Sequence, residues 1–234
     1  MKILAIIPAR GGSKGIPRKN IKLLAGKPLI FWSIDAVLKA KGINRILVST
    51  DDEEIAAEAI RYGVQVPFLR PKEFARDESP QYETVLHALD WLEQNEKYVP
   101  DYTLLLQPTS PLRSSEDIGN AISIVNDLKP NAVVGVTEAK NHPYFIKRIN
   151  EKGILESYSN NIFPKYFRRQ DMPTAYVING AIYINEINHF KKTKEFIPEG
   201  TIPLIMSPKC SVDIDSEFDF RIAESMLQEV KELH

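Results

Sequence analysis

Two stretches of this sequence carry side chains whose types and spacing suit chemistry on phosphate. The first is Pro8-Ala9-Arg10-Gly11-Gly12-Ser13-Lys14-Gly15-Ile16-Pro17-Arg18-Lys19-Asn20. Its three glycines permit positive φ and close approach of a ligand to the backbone. Consecutive N–H groups in such a loop can form an anion-binding nest. Arg10, Lys14, Arg18 and Lys19 add positive charge, a set suited to a triphosphate. The loop is not a Walker A element, because Gly-x-x-x-x-Gly-Lys-Ser/Thr does not occur, and Gly-x-Gly-x-x-Gly is also absent. The plain alternative is a solvated basic turn.

The second stretch is Asp213-Ile214-Asp215. If Val212 to Asp215 is extended, both carboxylates point to the same side. Two hard oxygen ligands, with water and phosphate oxygens, make a suitable Mg²⁺ site. The alternative is a turn or capping role, with Asp215 or Ser216 starting a helix at Glu217. Arg168-Arg169-Gln170 offers planar, two-pronged partners for a carboxylate. His87 sits in a helical pattern and His142 precedes a proline; neither has a partner suggesting a triad or a zinc site.

These groups need a scaffold. Ile3 to Ile7 is a continuous apolar run, as expected of a parallel strand covered on both faces. Pro28 opens a helical stretch from Leu29 to Lys41, closed by Gly42. Arg45 to Thr50 reads as strand, and Asp51 or Asp52 caps a helix to Tyr62. Val64 to Leu69 reads as a third strand, its Pro67 marking an edge or a bulge. Arg70 to Gln81 is a polar loop before a helix from Thr84 to Gln94. Strand from Tyr102 to Leu106, helix from Ser114 or Ser115 to Asp127 and strand from Ala132 to Val136 continue the alternation. The pattern predicts an α/β fold with a doubly wound, mainly parallel, Rossmann-like sheet, which binds ligands beyond the C-terminal ends of its strands. From about 140 to 175 the alternation lapses into a stretch rich in Tyr, Phe, Asn and Arg, read as a small insertion. Strand returns at Tyr176 to Ile184, and an amphipathic helix with Phe220 and Met226 on its core face runs from Glu217.

Length and composition frame this reading. The 234 residues fit one domain, 43% hydrophobic and 26% charged. A formal net charge of -1 argues against a nucleic-acid partner, so any anion is bound by a few basic groups placed together. The single cysteine, Cys210, cannot form an internal disulfide, which points to a reducing compartment. The apolar start is too short for a signal segment, and no apolar run is long enough to cross a membrane. The expected location is cytoplasmic.

Taken in order, the basic loop, Gln107-Pro108-Thr109-Ser110-Pro111-Leu112-Arg113, Arg168-Arg169-Gln170, Asn179-Gly180-Ala181-Ile182-Tyr183 and Asp213-Ile214-Asp215 cover nearly the whole chain. Together they resemble the signature segments of the acylneuraminate cytidylyltransferases, the CMP-sialic acid synthetases. The resemblance implies a nucleotidyltransferase that uses CTP, Mg²⁺ and a nine-carbon sugar acid and releases pyrophosphate. It implies that Ala9 and Arg10 contact the nucleotide, that Lys14 and Lys19 hold its phosphates, and that Asn20 reads the cytosine. Arg70 and Ser79 would complete the cytidine pocket. Gln107, Arg169, Gln170 and Tyr176 would reach the sugar, with Asn179 shaping its pocket. Arg10, Lys19, Asp213 and Asp215 would carry the catalysis, the two aspartates holding the metal.

Each residue also has a plainer reading: a turn serine at Ser79, a strand end at Gln107, packing at Tyr176, a hairpin turn at Asn179-Gly180. The resemblance further implies that the insertion packs against a second subunit in a homodimer; a lid over its own site is the alternative. Kdo-specific cytidylyltransferases fit the Arg-Arg-Gln and Asn-Gly-Ala-Ile-Tyr segments less well. Metal-dependent glycosyltransferases share Asp-x-Asp sites but usually lack a basic triphosphate loop after the first strand.

Overall fold

Strand β1 (Ile3–Pro8) shows how the sheet is covered, because its side chains alternate between two cores. In the computed structural model, which describes residues 1–158, 168 and 172–232, Ile3, Ala5 and Ile7 belong to one buried cluster. Leu4 and Ile6 belong to a second cluster on the opposite face. A strand buried on both faces must be apolar at every position, which explains the unbroken run.

In chain order, β1 is followed by a two-stranded hairpin, β2 (Leu23–Leu24) and β3 (Lys27–Pro28), and by helix α1 (Leu29–Lys39). Next come β4 (Arg45–Ser49), α2 (Glu53–Arg61), α3 (Gln81–Glu96), β5 (Tyr102–Leu105), α4 (Ser115–Leu128) and β6 (Ala132–Glu138). A short hairpin, β7 (Lys147–Ile149) and β8 (Leu155–Ser157), fills part of the expected insertion. The chain closes with β9 (Tyr176–Glu186), α5 (Ile187–Thr193), β10 (Ile202–Ile205) and α6 (Glu217–Glu232).

The main sheet has the order β10-β6-β9-β5-β1-β4. Pairs β1/β4, β1/β5 and β10/β6 are parallel, while β9 runs antiparallel between β5 and β6. Helices α1, α2 and α4 pack on one face through Ile30, Ile34, Ile55, Ile118 and Ile122. Helices α3 and α5 cover the other through Val85, Leu89, Leu92 and Phe190.

Local chemistry sets the helix ends. Asp52 caps α2, its carboxylate accepting from the N–H groups of Glu54 and Ile55. Ser114 and Asp117 form a reciprocal capping box at the start of α4. At α6, the Asp219 carboxylate accepts from the Ser216 N–H at 2.8 Å, and Ser216 Oγ accepts from the Asp219 N–H at 3.3 Å. Phe220 is buried on α6, whereas Met226 is half-buried and Leu227 takes the core position beside it.

The segment expected as a third strand joins β4 through isolated bridges only, Leu47 to Gln65 and Thr50 to Leu69. Pro67 lies between them and has no N–H to donate, so the ladder breaks there.

A third cluster fixes the basic loop. Ile16 and Leu24 pack with Leu29 against Ile214, Phe220, Ala223 and Leu227. Burying a side chain such as Ile214 contributes about 1.5–3 kcal/mol. Because Ile214 points into this core, its neighbours Asp213 and Asp215 are turned the other way.

Candidate active site

Beyond the C-terminal ends of β1 and β5 lies a cleft of about 370 Å³. Its walls include Arg10, Lys19 and Asn20 from the basic loop, Arg70, Asp77 and Ser79 from the loop before α3, Gln81 and Thr84 from α3, Gln107 and Thr109 after β5, and both Asp213 and Asp215. The carboxylates expected on one side of an extended segment therefore face one space.

Lys19 is the hinge of this arrangement. Its Nζ donates to the Ile214 carbonyl at 2.6 Å and lies 3.8 Å from Asp215 Oδ1. Burial pushes the Lys19 pKa down, and the charges of Asp215 and Asp213 act against that shift. Burial likewise raises the Asp213 pKa, opposed by a side-chain hydrogen bond with Thr109. Asp213 Oδ1 is buried without a hydrogen-bond partner.

The glycines of the loop act differently from the expectation. None of Gly11, Gly12 and Gly15 has positive φ; the left-handed residue is Arg18, at φ 55°. What Gly11 and Gly15 supply is room. A Cβ on Gly15 would lie 2.3 Å from the Asp215 carbonyl oxygen, and one on Gly11 would lie 2.5 Å from Asp52 Oδ2. Asp51 Oδ1 accepts the Gly11 N–H at 3.0 Å, which ties the loop to β4. Arg18 turns aside to pair with Asp52 and Glu54 at the start of α2.

The other expected residues fall into four groups. Asn20 and Arg70 are buried in the cleft wall. Asn20 Nδ2 holds the Arg10 carbonyl at 2.9 Å, and Arg70 Nη1 donates to Thr84 Oγ1 at 2.9 Å. Ser79 Oγ donates to the Glu73 carbonyl at 2.5 Å. Ala9 and Lys14 lie outside the cleft lining: Ala9 is fully buried beneath it, its N–H bonded to Ser49, and Lys14 is exposed at the rim. On β9, Tyr176 is exposed, and Asn179 is buried with its Nδ2 2.9 Å from Ser211 Oγ. Gly180, with φ +73°, lies in that strand rather than in a hairpin turn, and a Cβ there would be 3.0 Å from Gln107 Oε1. Arg169 and Gln170 lie outside the described residues.

Two contributors carried no sequence signal. Asp77 bridges Arg10 at 2.8 Å and Lys14 at 3.0 Å, and it is held below the usual carboxylate range first by its hydrogen bond with Lys14. Its carboxylate thus engages both cations at once. Gln81 Oε1 accepts from Gln107 Nε2 at 3.0 Å and orients that amide. Neither histidine joins the site. His87 packs edge-on to Phe68 with ring centroids 4.7 Å apart, and His142 contacts the Pro173 carbonyl.

A cleft with cations on one wall, two carboxylates on another and an α/β sheet beneath suits transfer of a phosphoryl group. The model of the cytidylyltransferase family matches residues 4–228, and the chain belongs to that family of nucleotidyltransferases. It is 38% identical over 233 residues to the CMP-N,N'-diacetyllegionaminic acid synthase of Legionella pneumophila, with 97% of each chain covered. It is 36% identical over 228 residues to the N-acylneuraminate cytidylyltransferase of Escherichia coli, covering 97% of this chain and 52% of that protein. The chain therefore spans nearly all of the first relative and about half of the second. Among solved structures, a CMP:2-keto-3-deoxy-manno-octonic acid synthetase complexed with CTP superposes with a TM-score of 0.73. The two share 15% identity, with 98% of this chain and 99% of that one covered, a likeness of fold.

Proposed function

We propose that this enzyme transfers CMP from CTP to the anomeric hydroxyl of a sialic-acid-type nonulosonic acid, releasing pyrophosphate. The observation that carries this reading is the meeting of Arg10 and Lys19 with Asp213 and Asp215 around one cleft. The sugar oxygen forms a bond to the α-phosphorus, the bond to pyrophosphate breaks, and the hydroxyl proton passes to Asp213 or to water.

Arg10 and Lys19 oppose the growing phosphate charge, with Lys14 reaching the outer phosphates once Asp77 is displaced. Asn20, Arg70 and Ser79 line the cytidine end, and Ala9 supplies backbone beneath it. Gln107, Arg169, Gln170 and Tyr176 receive the sugar acid, Asn179 supporting that wall from within β9.

The Asp213–Asp215 pair fits Mg²⁺. Among the described residues no group of three or more His, Cys, Asp or Glu could hold a metal alone. Mg²⁺ is commonly held by one or two carboxylates, completed by substrate phosphates and water, and Asp213 has a buried oxygen without a partner. When bound, the ion neutralises phosphate oxygens and lowers the pKa of the attacking hydroxyl. Asp215 is the direct ligand in this reading, and Asp213 either a further ligand or the acceptor of the hydroxyl proton.

The sugar is proposed as an N-acylneuraminate. Legionaminic and pseudaminic acids are the alternatives, the first favoured by the relative at 38% identity that the chain spans to 97%. The test is a panel of CTP, Mg²⁺ and several nonulosonic acids, with Kdo as a further arm and pyrophosphate as the readout. Release with a sialic or legionaminic acid is the expected result; release with Kdo alone overturns the choice of sugar, and release with no acid overturns the reaction.

A homodimer belongs to the same proposal. Phe145, Ile146, Ile149, Ile154, Leu155 and Tyr158, around the β7–β8 hairpin, are all exposed, and such a concentration of apolar surface favours burial against a partner. Among the described residues no helix is long and apolar enough to cross a membrane. Cytoplasmic residence is proposed from Cys210, the single cysteine, which fits a reducing compartment.

A further inference from the structure

Arg113 ends the Gln107–Arg113 segment, and no part of the proposed chemistry uses it. Among the described residues it is one of the most deeply buried charged side chains, 3% exposed. Among the described residues no carboxylate lies within ion-pair distance of it; Asp117 acts on it only through space. Burial brings its pKa down to about 9. A buried charge facing only neutral acceptors is costly, so the bonds the guanidinium makes must account for it.

Arg113 Nη1 donates to the Gln107 carbonyl at 3.2 Å and to the Ala181 carbonyl at 2.7 Å. Nη2 donates to Ser33 Oγ on α1 at 2.6 Å, and Ser33 Oγ lies 3.4 Å from the same Gln107 carbonyl. Strands β5 and β9 pair as far as Leu105 and Tyr183. Continued by two residues, that register sets Gln107 opposite Ala181, where the paired ladder has ended. At that point the guanidinium spans the two carbonyls, and the strands are held apart at a fixed width. Beside this brace, the Gln107 amide, oriented by Gln81, lines the cleft, and a Cβ added to Gly180 would lie 3.0 Å from Gln107 Oε1 and 3.3 Å from Asp213 Oδ2.

We propose that Arg113 is a positioning residue for the transfer reaction, bracing Gln107 and the Gly180–Ala181 stretch of β9 so that the sugar-acid wall meets Asp213 at the right separation. This rests on the reading of Gln107 as part of the sugar wall. The planar fork suits the task because its two arms bond three elements in a fixed geometry, which the compact ammonium of a lysine does not impose.

The test is steady-state kinetics with each substrate varied in turn. Arg113→Met is expected to unfold cooperatively and to keep the CTP KM within about twofold, while the sugar-acid kcat/KM falls by about tenfold or more. Arg113→Lys recovers part of that loss. A folded Arg113→Met with sugar-acid kinetics within about twofold of the parent overturns the proposal. Should that variant not fold, Ser33→Ala decides, because it removes the Nη2 partner and leaves the charge in place. It is expected to raise the sugar-acid KM with the CTP KM unchanged, and parental kinetics there overturn the proposal. Gln107→Ala separates the two levels: an unchanged sugar-acid KM in that variant removes Gln107 from the sugar wall, whatever Arg113 does.

Discussion

At Asp213 burial acts against the charged carboxylate, and its folded-state pKa is raised. A raised acid favours folding below its unfolded value, and that contribution is lost as pH rises through the folded value. At neutral pH the carboxylate is therefore a net cost to the fold. Asp213→Asn is expected to raise Tm at pH 7, by about 2–4 °C for each kcal/mol relieved. The gain should shrink as pH falls toward the ordinary aspartate value of about 4. Turnover should fall by about a hundredfold or more. Calorimetry at both pH values with a pyrophosphate assay checks the pair of outcomes, and a lower Tm at pH 7 contradicts the burial account. Asp215→Asn should lose turnover while metal-free nucleotide binding survives. The Asp-x-Asp spacing was legible because alternation around one apolar residue is a local property. Asp77 and Gln81 were not legible, because an irregular loop and a helix start bring them to the cleft.

Strand β9 shows where pattern reading stops. Its apolar run was visible, but direction is not encoded in hydrophobic periodicity, and β9 lies antiparallel between two otherwise parallel pairs. The β2–β3 hairpin, α5 and β10 are too short for a period to show. Helices α1, α2 and α4 were legible through Pro28, Asp52 and Ser114, whose chemistry acts within one turn. The register between β6 and β9 shifts between Val134 and Val136, and Gly135 sits in that irregularity. A Cβ on Gly135 would lie 2.6 Å from Asn179 Oδ1 and 3.0 Å from Met206 Sδ. Gly135→Ala should displace Asn179, break its bond to Ser211 and destabilise by about 1–3 kcal/mol. Denaturant unfolding checks this; unchanged stability would mean that the β9 wall yields freely.

At the scale of the molecule, the apolar hairpin predicts assembly. Ile149 and Leu155 face each other in its register and are 72% and 65% exposed. Replacing both with aspartate should leave the monomer's stability nearly unchanged, as is usual for exposed positions. In sedimentation the parent should run as a dimer and the double variant as a monomer. A parent that is monomeric and fully active at assay concentration ends the dimer proposal. The fold class was legible from alternation along the chain, but contacts between chains leave no period to read.

Lys19 and Ile214 are 195 positions apart and share a hydrogen bond; Lys22 with Glu217, and Ala25 with Glu224, repeat the connection. A ribosome makes the second partner of each pair long after the first. The nascent chain can form β1 and α1 while the cleft still lacks one wall, so nucleotide cannot stabilise the folding protein until α6 has emerged. Binding competence therefore waits on residues 213 to 215, and a chain cut short before residue 213 would hold a sheet but no place for the triphosphate and metal to meet.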